Sequence, residues 1–218
     1  MSTHKLPTPP GDLKAVVFDL DGVLFDSLPA NIAFYNHILV HLGREPVAER
    51  FAEIIHREAM PGSLEALVGR GEDYDRAMAY WPTMDSTPFM KLLRLYPGAR
   101  ETIARLRQRW RTAVATNRTA TARSSLAHFD LLELFDLVAN PDSAGRAKPH
   151  PAMMLQVLGH FGLDPEQVVY VGDSTTDEGL CQATGVRLVA FGNRELEAWA
   201  HLDDLRDLPG LLGMQPKS

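Results

Sequence analysis

Apolar and polar positions along this chain fall into blocks of two periods. A run with no internal alternation at 15–18 predicts a buried parallel strand, and the valine-containing runs at 168–171 and 186–191 predict two further strands. Residues 112–116 and 135–139 predict two more strands. Between and after these runs lie segments of helical period at 100–110, 120–129, 151–161, 175–184 and 195–201. Strand alternating with helix from Ala99 onward predicts an α/β fold, a doubly wound parallel sheet with helices on both faces. Right-handed crossovers then gather the C-terminal ends of the strands on one edge, where open α/β sheets bind ligands.

Between Asp26 and Pro97 the pattern changes. No strand is predicted there, only helical pieces at 30–42, 47–58, 64–68, 74–81 and 90–95. Gly43, Pro61, Gly62, Gly69, Gly71, Pro82 and Pro88 punctuate them. The stretch reads as a helical insertion, a lid rather than part of the sheet. The expected organisation is a loose leader over 1–12, marked by Pro7, Pro9, Pro10 and Gly11, then a core built from 13–27 and 97–218, with a helical cap over 28–96.

Composition narrows the classes. A chain of 218 residues holds one large domain, or a core with a smaller insertion. No apolar run approaches the roughly 20 residues of a membrane span, and no signal-peptide pattern opens the chain. A single cysteine, Cys181, excludes an internal disulfide framework and fits a reducing, cytoplasmic setting, where it reads as a small buried hydrophobe. The formal charge of −6 points away from nucleic acid and from membranes as partners. It is compatible with a small anionic substrate, because one metal ion and one lysine reverse the local field. Arg100, Arg105, Arg107, Arg109 and Arg111 read as a solvated helix face.

The strand ends carry the chemistry. Asp19 and Asp21 follow the buried run 15–18, where negative charge is costly without a cation or a proton, and Gly22 lets the backbone turn away. An acidic turn accounts for the same residues. Thr116, Asn117 and Arg118 follow the second strand, where a hydroxyl and backbone N–H groups make an anion cradle or an N-cap. Lys148 stands before a helix start between Ala147 and Pro149, where the macrodipole disfavours a cation and an anionic partner explains it better. Asp173 ends the strand 168–171, and Asp177 lies one turn on, on the same side. N-capping explains each piece singly but not why all four strand ends carry compatible groups. Carboxylates from Asp19, Asp21 and Asp173 around a hard cation, with Thr116 and Lys148 beside it, suit Mg²⁺. One aspartate then attacks phosphorus while another moves protons.

In this order the motifs Asp-Leu-Asp-Gly-Val-Leu at 19–24, Ala-Thr-Asn at 115–117, Lys148-Pro149 and Gly-Asp-Ser-Thr-Thr-Asp at 172–177 resemble the haloacid dehalogenase-like hydrolase superfamily. The resemblance runs from Lys14 to Leu212, with the insertion in the position of that family's helical cap. It implies Asp19 as a nucleophile forming an aspartyl-phosphate and Asp21 as general acid/base. It implies Thr116 on the transferring phosphoryl group, with Asn117 helping through its backbone, and Lys148 holding nucleophile and phosphate. Asp19, Asp173 and the Asp21 carbonyl are implied Mg²⁺ ligands, with Asp177 supporting them. The second aspartate separates phosphoryl transfer from dehalogenation, since dehalogenases lack it. The chain then resembles the phosphatases of phosphoglycolate and related small, soluble phosphorylated metabolites. Less specifically it resembles sugar phosphomutases with the same cap, and a non-catalytic binding module of the same fold is the remaining alternative.

Other candidates carry less. Arg118 is a plausible substrate contact next to the phosphate cradle, and His56, Arg57, Arg70 and Lys91 are candidates for touching a substrate's far end. His37 and His41 share a helix face without a third ligand, which predicts an ordinary amphipathic face. His150 reads as structural, and Trp81, Phe89 and Tyr96 as packing within the cap.

Overall fold

In the computed structural model, which describes residues 9–46 and 60–215, strand β1 (Ala15–Phe18) is central to the larger sheet and all four of its side chains are buried. The predicted helix at 47–58, with His56 and Arg57, and most of the leader lie outside the described residues. β1 pairs in parallel with β4 (Arg111–Ala115) on one side and β6 (Val168–Gly172) on the other. β5 (Leu137–Ala139), β7 (Arg187–Phe191) and β8 (Ala200–Leu202) extend the sheet in the order β5-β4-β1-β6-β7-β8. Successive side chains point to opposite faces, and Val16, Val17, Val169 and Tyr170 are all fully buried, so both faces are covered. One face packs under the helices Ala152–Phe161 and Thr175–Thr184 through Val17, Ala113, Ala115, Tyr170, Met153, Val157 and Leu180. Full burial of each large apolar side chain is worth about 1.5–3 kcal/mol.

The chain runs out from β1 to β4 and β5 on one side, then returns to β6, β7 and β8 on the other. The direction of winding therefore reverses between β1 and β6, the place where open α/β sheets form a ligand crevice. No helix among the described residues is long and apolar enough to cross a membrane.

The chain divides into two compact units, residues 1–24 with 95–218, and residues 25–94. The second unit has its own core, with Tyr35, Ile38 and Leu42 from and just beyond the helix Leu28–His41 meeting Leu64 of Met60–Val68 and Ala77 of Glu72–Tyr80. Within it His41 stacks on Tyr80 at 3.6 Å between ring centroids, and His37 Nε2 lies 2.9 Å from the Tyr80 hydroxyl. The pair behaves as part of an aromatic face. Phe89 packs edge-on to Phe34.

Several expectations need correcting. Residues 195–201 are not helical. Their helix-forming residues are overridden because Leu196 enters the main core and Trp199 N–H donates to Leu188, which aligns β8 beside β7. The insertion is not free of strands, since β2 (Phe25–Asp26) and β3 (Arg94–Leu95) pair where the chain leaves and re-enters the first unit. The predicted helix at 90–95 is instead a single turn, Thr87–Met90, followed by β3. Tyr96 packs edge-on to Phe191 of β7. The arginine row is largely exposed, as expected, but it does not lie on one helix. The helix ends at Leu106, and exposed heads of Arg100, Arg105 and Arg107 donate to carbonyls of Asp130, Gln215 and Leu134.

Candidate active site

Each predicted site residue stands just past the end of a strand or at a helix start, and parallel pairing aligns those ends. Phe18 is level with Val114 and Val171, so Asp19 emerges beside β6, where its N–H donates to Val171 at 2.9 Å. Asp173 follows Gly172 on β6 and Thr116 follows Ala115 on β4. The turn after β1 passes close to Asp173 because residue 22 is glycine. Its φ is +78°, and a Cβ there would stand 2.0 Å from the Asp173 carboxylate.

Carboxylate oxygens of Asp19, Asp173 and Asp177 lie within 4.8 Å of one another. Lys148 answers them with one buried ammonium, 2.9 Å from Asp19 Oδ1 and 2.7 Å from Asp177 Oδ1. Burial pushes the Asp19 carboxyl up to about 7, against the pull of Lys148 and with the help of Asp177 and Asp21. Burial likewise raises Asp173 to about 8, with Asp177 and Asp19 adding to the rise. Burial works against the Lys148 ammonium, but Asp177 and Asp19 outweigh it and hold it above the ordinary lysine range. Asp177 goes the other way. Although buried, it is held below the usual carboxylate range by Lys148 and by hydrogen bonds from Ser174 and Tyr170.

Asp177 is saturated. Oδ1 accepts from Lys148 and from the Tyr170 hydroxyl at 2.8 Å, and Oδ2 accepts from the N–H groups of Asp173 and Ser174 and from the Ser174 hydroxyl. Such a carboxylate orients its neighbours rather than offering an open coordination position. Among the described residues, none donates to the Asp173 carboxylate, and both bonds to Asp19, from Leu20 N–H and Lys148, fall on Oδ1. Asp19 and Asp173, both raised towards neutrality, therefore offer the open oxygens, an all-oxygen donor pair that fits a hard divalent cation, while Asp177 orients them from beside it.

The remaining residues divide. Thr116 is buried at the end of β4, and its hydroxyl accepts from Arg118 N–H at 3.2 Å. The Asn117 side chain, expected to matter only through its backbone, clamps the Lys148 loop: Oδ1 accepts from Lys148 N–H at 2.7 Å and Nδ2 donates to Lys148 O at 3.2 Å. The Lys148–Pro149 peptide is cis. Asp21 is not in the carboxylate cluster. Its two oxygens accept from Arg118, Nε at 3.0 Å and Nη2 at 2.5 Å. His150 accepts from Ala152 N–H at the next helix start. In the insertion Arg70 is paired with Glu65 at 2.7 Å, and Lys91 is exposed.

Sequence reasoning missed Tyr170. Its hydroxyl contacts Lys148 Nζ at 2.9 Å and Asp177, and reaches Ala115 O at 2.8 Å, tying β6 to β4 beneath the cluster. The available signal was a lone hydroxyl in an otherwise aliphatic buried strand, which must find a partner.

The chain is similar to known proteins over most of its length. A family model described as haloacid dehalogenase-like hydrolase matches residues 16–191. A phosphoglycolate phosphatase of Cereibacter sphaeroides is 34% identical over 90% of this chain and 97% of its own. A crystal structure of a haloacid dehalogenase-superfamily hydrolase from Geobacter sulfurreducens superposes with a TM-score of 0.77 at 33% identity, covering 95% of this chain and 100% of that one. A predicted phosphoglycolate phosphatase from Haemophilus somnus gives a TM-score of 0.77 at 25% identity, over 92% of this chain and 98% of its own.

Proposed function

The chain belongs to the haloacid dehalogenase-like hydrolase family, and on that premise we propose that it is a Mg²⁺-dependent phosphatase. It hydrolyses a small phosphate monoester through an aspartyl-phosphate on Asp19. The observation that carries this reading is a division of labour on one sheet edge. Asp19 lies inside the Lys148-neutralised carboxylate cluster, while Asp21, two residues on, is held outside it by a different cation.

Asp19, Asp173 and the main-chain carbonyl of Asp21 would hold the ion, with Asp177 fixing Lys148 and the Asp173 turn. When bound, Mg²⁺ offsets the repulsion of the carboxylates and polarises a phosphoryl oxygen. Lys148 holds Asp19 Oδ1, which leaves Oδ2 to attack phosphorus. In the first half-reaction the Asp19 Oδ–P bond forms, the ester P–O bond breaks, and Asp21 gives its proton to the departing alkoxide. In the second, Asp21 takes a proton from water, whose oxygen bonds to phosphorus as the Asp19 Oδ–P bond breaks and phosphate is released. Thr116 donates its hydroxyl to the transferring group.

The relatives' printed activity supports phosphoglycolate or a comparable small ester, such as a sugar phosphate, as the substrate. The helical unit inserted after β1 is assigned the part of a cap, on its place in the chain and its separate core. A buried free thiol at Cys181 supports a reducing, cytoplasmic setting.

The test is phosphate release across a panel of monoesters with Mg²⁺ present, comparing wild type with Asp19→Asn. Wild-type turnover that the substitution removes, with an unchanged circular dichroism spectrum, supports the reading. Substantial turnover by the variant overturns Asp19 as nucleophile. Turnover that needs a bisphosphate primer and releases no net phosphate replaces hydrolysis by a mutase reaction.

A further inference from the structure

We propose that Arg118 couples substrate recognition to the release of Asp21. A substrate whose alcohol portion carries a carboxylate takes the place of Asp21 on the Arg118 guanidinium, and Asp21 is then turned to the leaving oxygen. This rests on the phosphatase reading and adds to it a specificity residue that selects phosphate esters of short hydroxy acids from the small esters that reading allows.

The geometry is that of a carboxylate receptor already holding a carboxylate. Arg118 Nε and Nη2 meet Asp21 Oδ2 and Oδ1 at 3.0 and 2.5 Å, a planar fork on a planar acceptor. The remaining edge is steadied by Nη1 donating to Thr121 Oγ1 at 3.3 Å. The Arg118 main chain is fixed in turn, because its N–H donates to the Thr116 hydroxyl. The same residue that presents the guanidinium thus has its main chain bonded to the residue assigned to the phosphoryl group.

Asp21 cannot serve the leaving oxygen while both of its own oxygens are engaged by the fork. An incoming carboxylate resolves this without net cost in charge, since one anion replaces another on the same cation. A neutral alcohol offers no such exchange. It either puts no anion in the place of Asp21 on the Arg118 head, in a side chain that is only 13% exposed, or leaves Asp21 where it is. The pair keeps 23% exposure at Asp21, so an anion can reach it. Recognition and readiness for chemistry are thus one event.

The experiment compares kcat/KM for 2-phosphoglycolate with that for ethyl phosphate, which lacks the carboxylate. Wild type is expected to prefer the acid by about 10²-fold or more, as a site built for a polar group rejects the analogue without it. In Arg118→Gln this ratio collapses towards unity, and Arg118→Lys recovers part of it. A structural role alone lowers both values and leaves the ratio in place. A second measurement needs no variant: glycolate competes with ethyl phosphate in the wild-type enzyme and ethanol does not. A wild-type ratio near one, a ratio unchanged in Arg118→Gln, or equal effects of glycolate and ethanol overturns the inference while phosphatase activity stands. Absence of phosphate release from both esters overturns the phosphatase reading and this inference with it.

Discussion

At the scale of single residues the site is a problem in electrostatics solved by one lysine. Lys148 is almost fully buried against Asp19, Asp177 and the Tyr170 hydroxyl. Replacing it by methionine leaves buried carboxylates without their cation, and breaking such a pair from one side costs about 3–5 kcal/mol. The urea midpoint of Lys148→Met is expected to fall accordingly, and an unchanged midpoint would show that water already neutralises the cluster. Tyr170→Phe removes a hydroxyl shared by Lys148, Asp177 and Ala115 O, and is expected to cost about 1–3 kcal/mol in the same assay. Asp19→Asn lacks the oxygen proposed as nucleophile, and its turnover should drop at least about 10³-fold, some 4 kcal/mol of barrier, with the melting transition retained.

At the scale of elements the site depends on close approach between turns. Gly22 carries the β1 turn past Asp173 in a left-handed conformation that a side chain disfavours. Gly22→Ala adds about 1–2 kcal/mol of backbone strain and drives a methyl group into the Asp173 carboxylate. The expected readout is specific: Mg²⁺ should raise the melting temperature of wild type but barely that of the variant. A full Mg²⁺ shift in Gly22→Ala would mean that Asp173 takes no part in holding the ion. Elements also explain what the pattern of residues concealed. Residues 195–201 have helical composition, yet a strand forms because β7 offers an unpaired edge and the core takes Leu196. Asn117 looked like part of an anion cradle, yet its side chain spends both polar atoms on the Lys148 backbone. Local composition records preference, and the choice between partners distant in sequence is made only when they meet.

At the scale of the whole molecule, acidity converges where the sheet reverses its winding. The two raised carboxyls set a pH dependence. A carboxyl whose folded pKa lies above its unfolded value contributes stability that is fully present below the unfolded pKa and lost as pH rises through the folded one. Asp19, raised from 3.8 to about 7, and Asp173, raised from 3.8 to about 8, place that loss between roughly pH 4 and 8 in metal-free protein. The proposed Mg²⁺ would bind the ionised form, so its stabilisation should widen as pH rises through the folded values of about 7 and about 8, reaching about 2.7 kcal/mol at a hundredfold excess over Kd. Melting with EDTA and with Mg²⁺ at pH 6 and pH 9 checks this, with Asp173→Asn as a control in which the widening shrinks. Equal Mg²⁺ shifts at the two pH values would contradict it.

The sequence alone determined the fold class and the cast of the site. Buried strands without alternation, helices between them, and polar residues placed just beyond strand ends are local facts, legible because strand periodicity and chain direction dictate which edge those residues reach. Asp19, Thr116, Lys148 and Asp173 could be named on that basis. Which groups touch was decided by the tertiary structure. Arg118 on Asp21, Asn117 around Lys148, and Tyr170 beneath the carboxylates join residues 97, 31 and 22 positions apart in the chain. Their hydrogen bonds depend on distances of a few tenths of an ångström, which no period in the sequence encodes and which only the packed sheet sets.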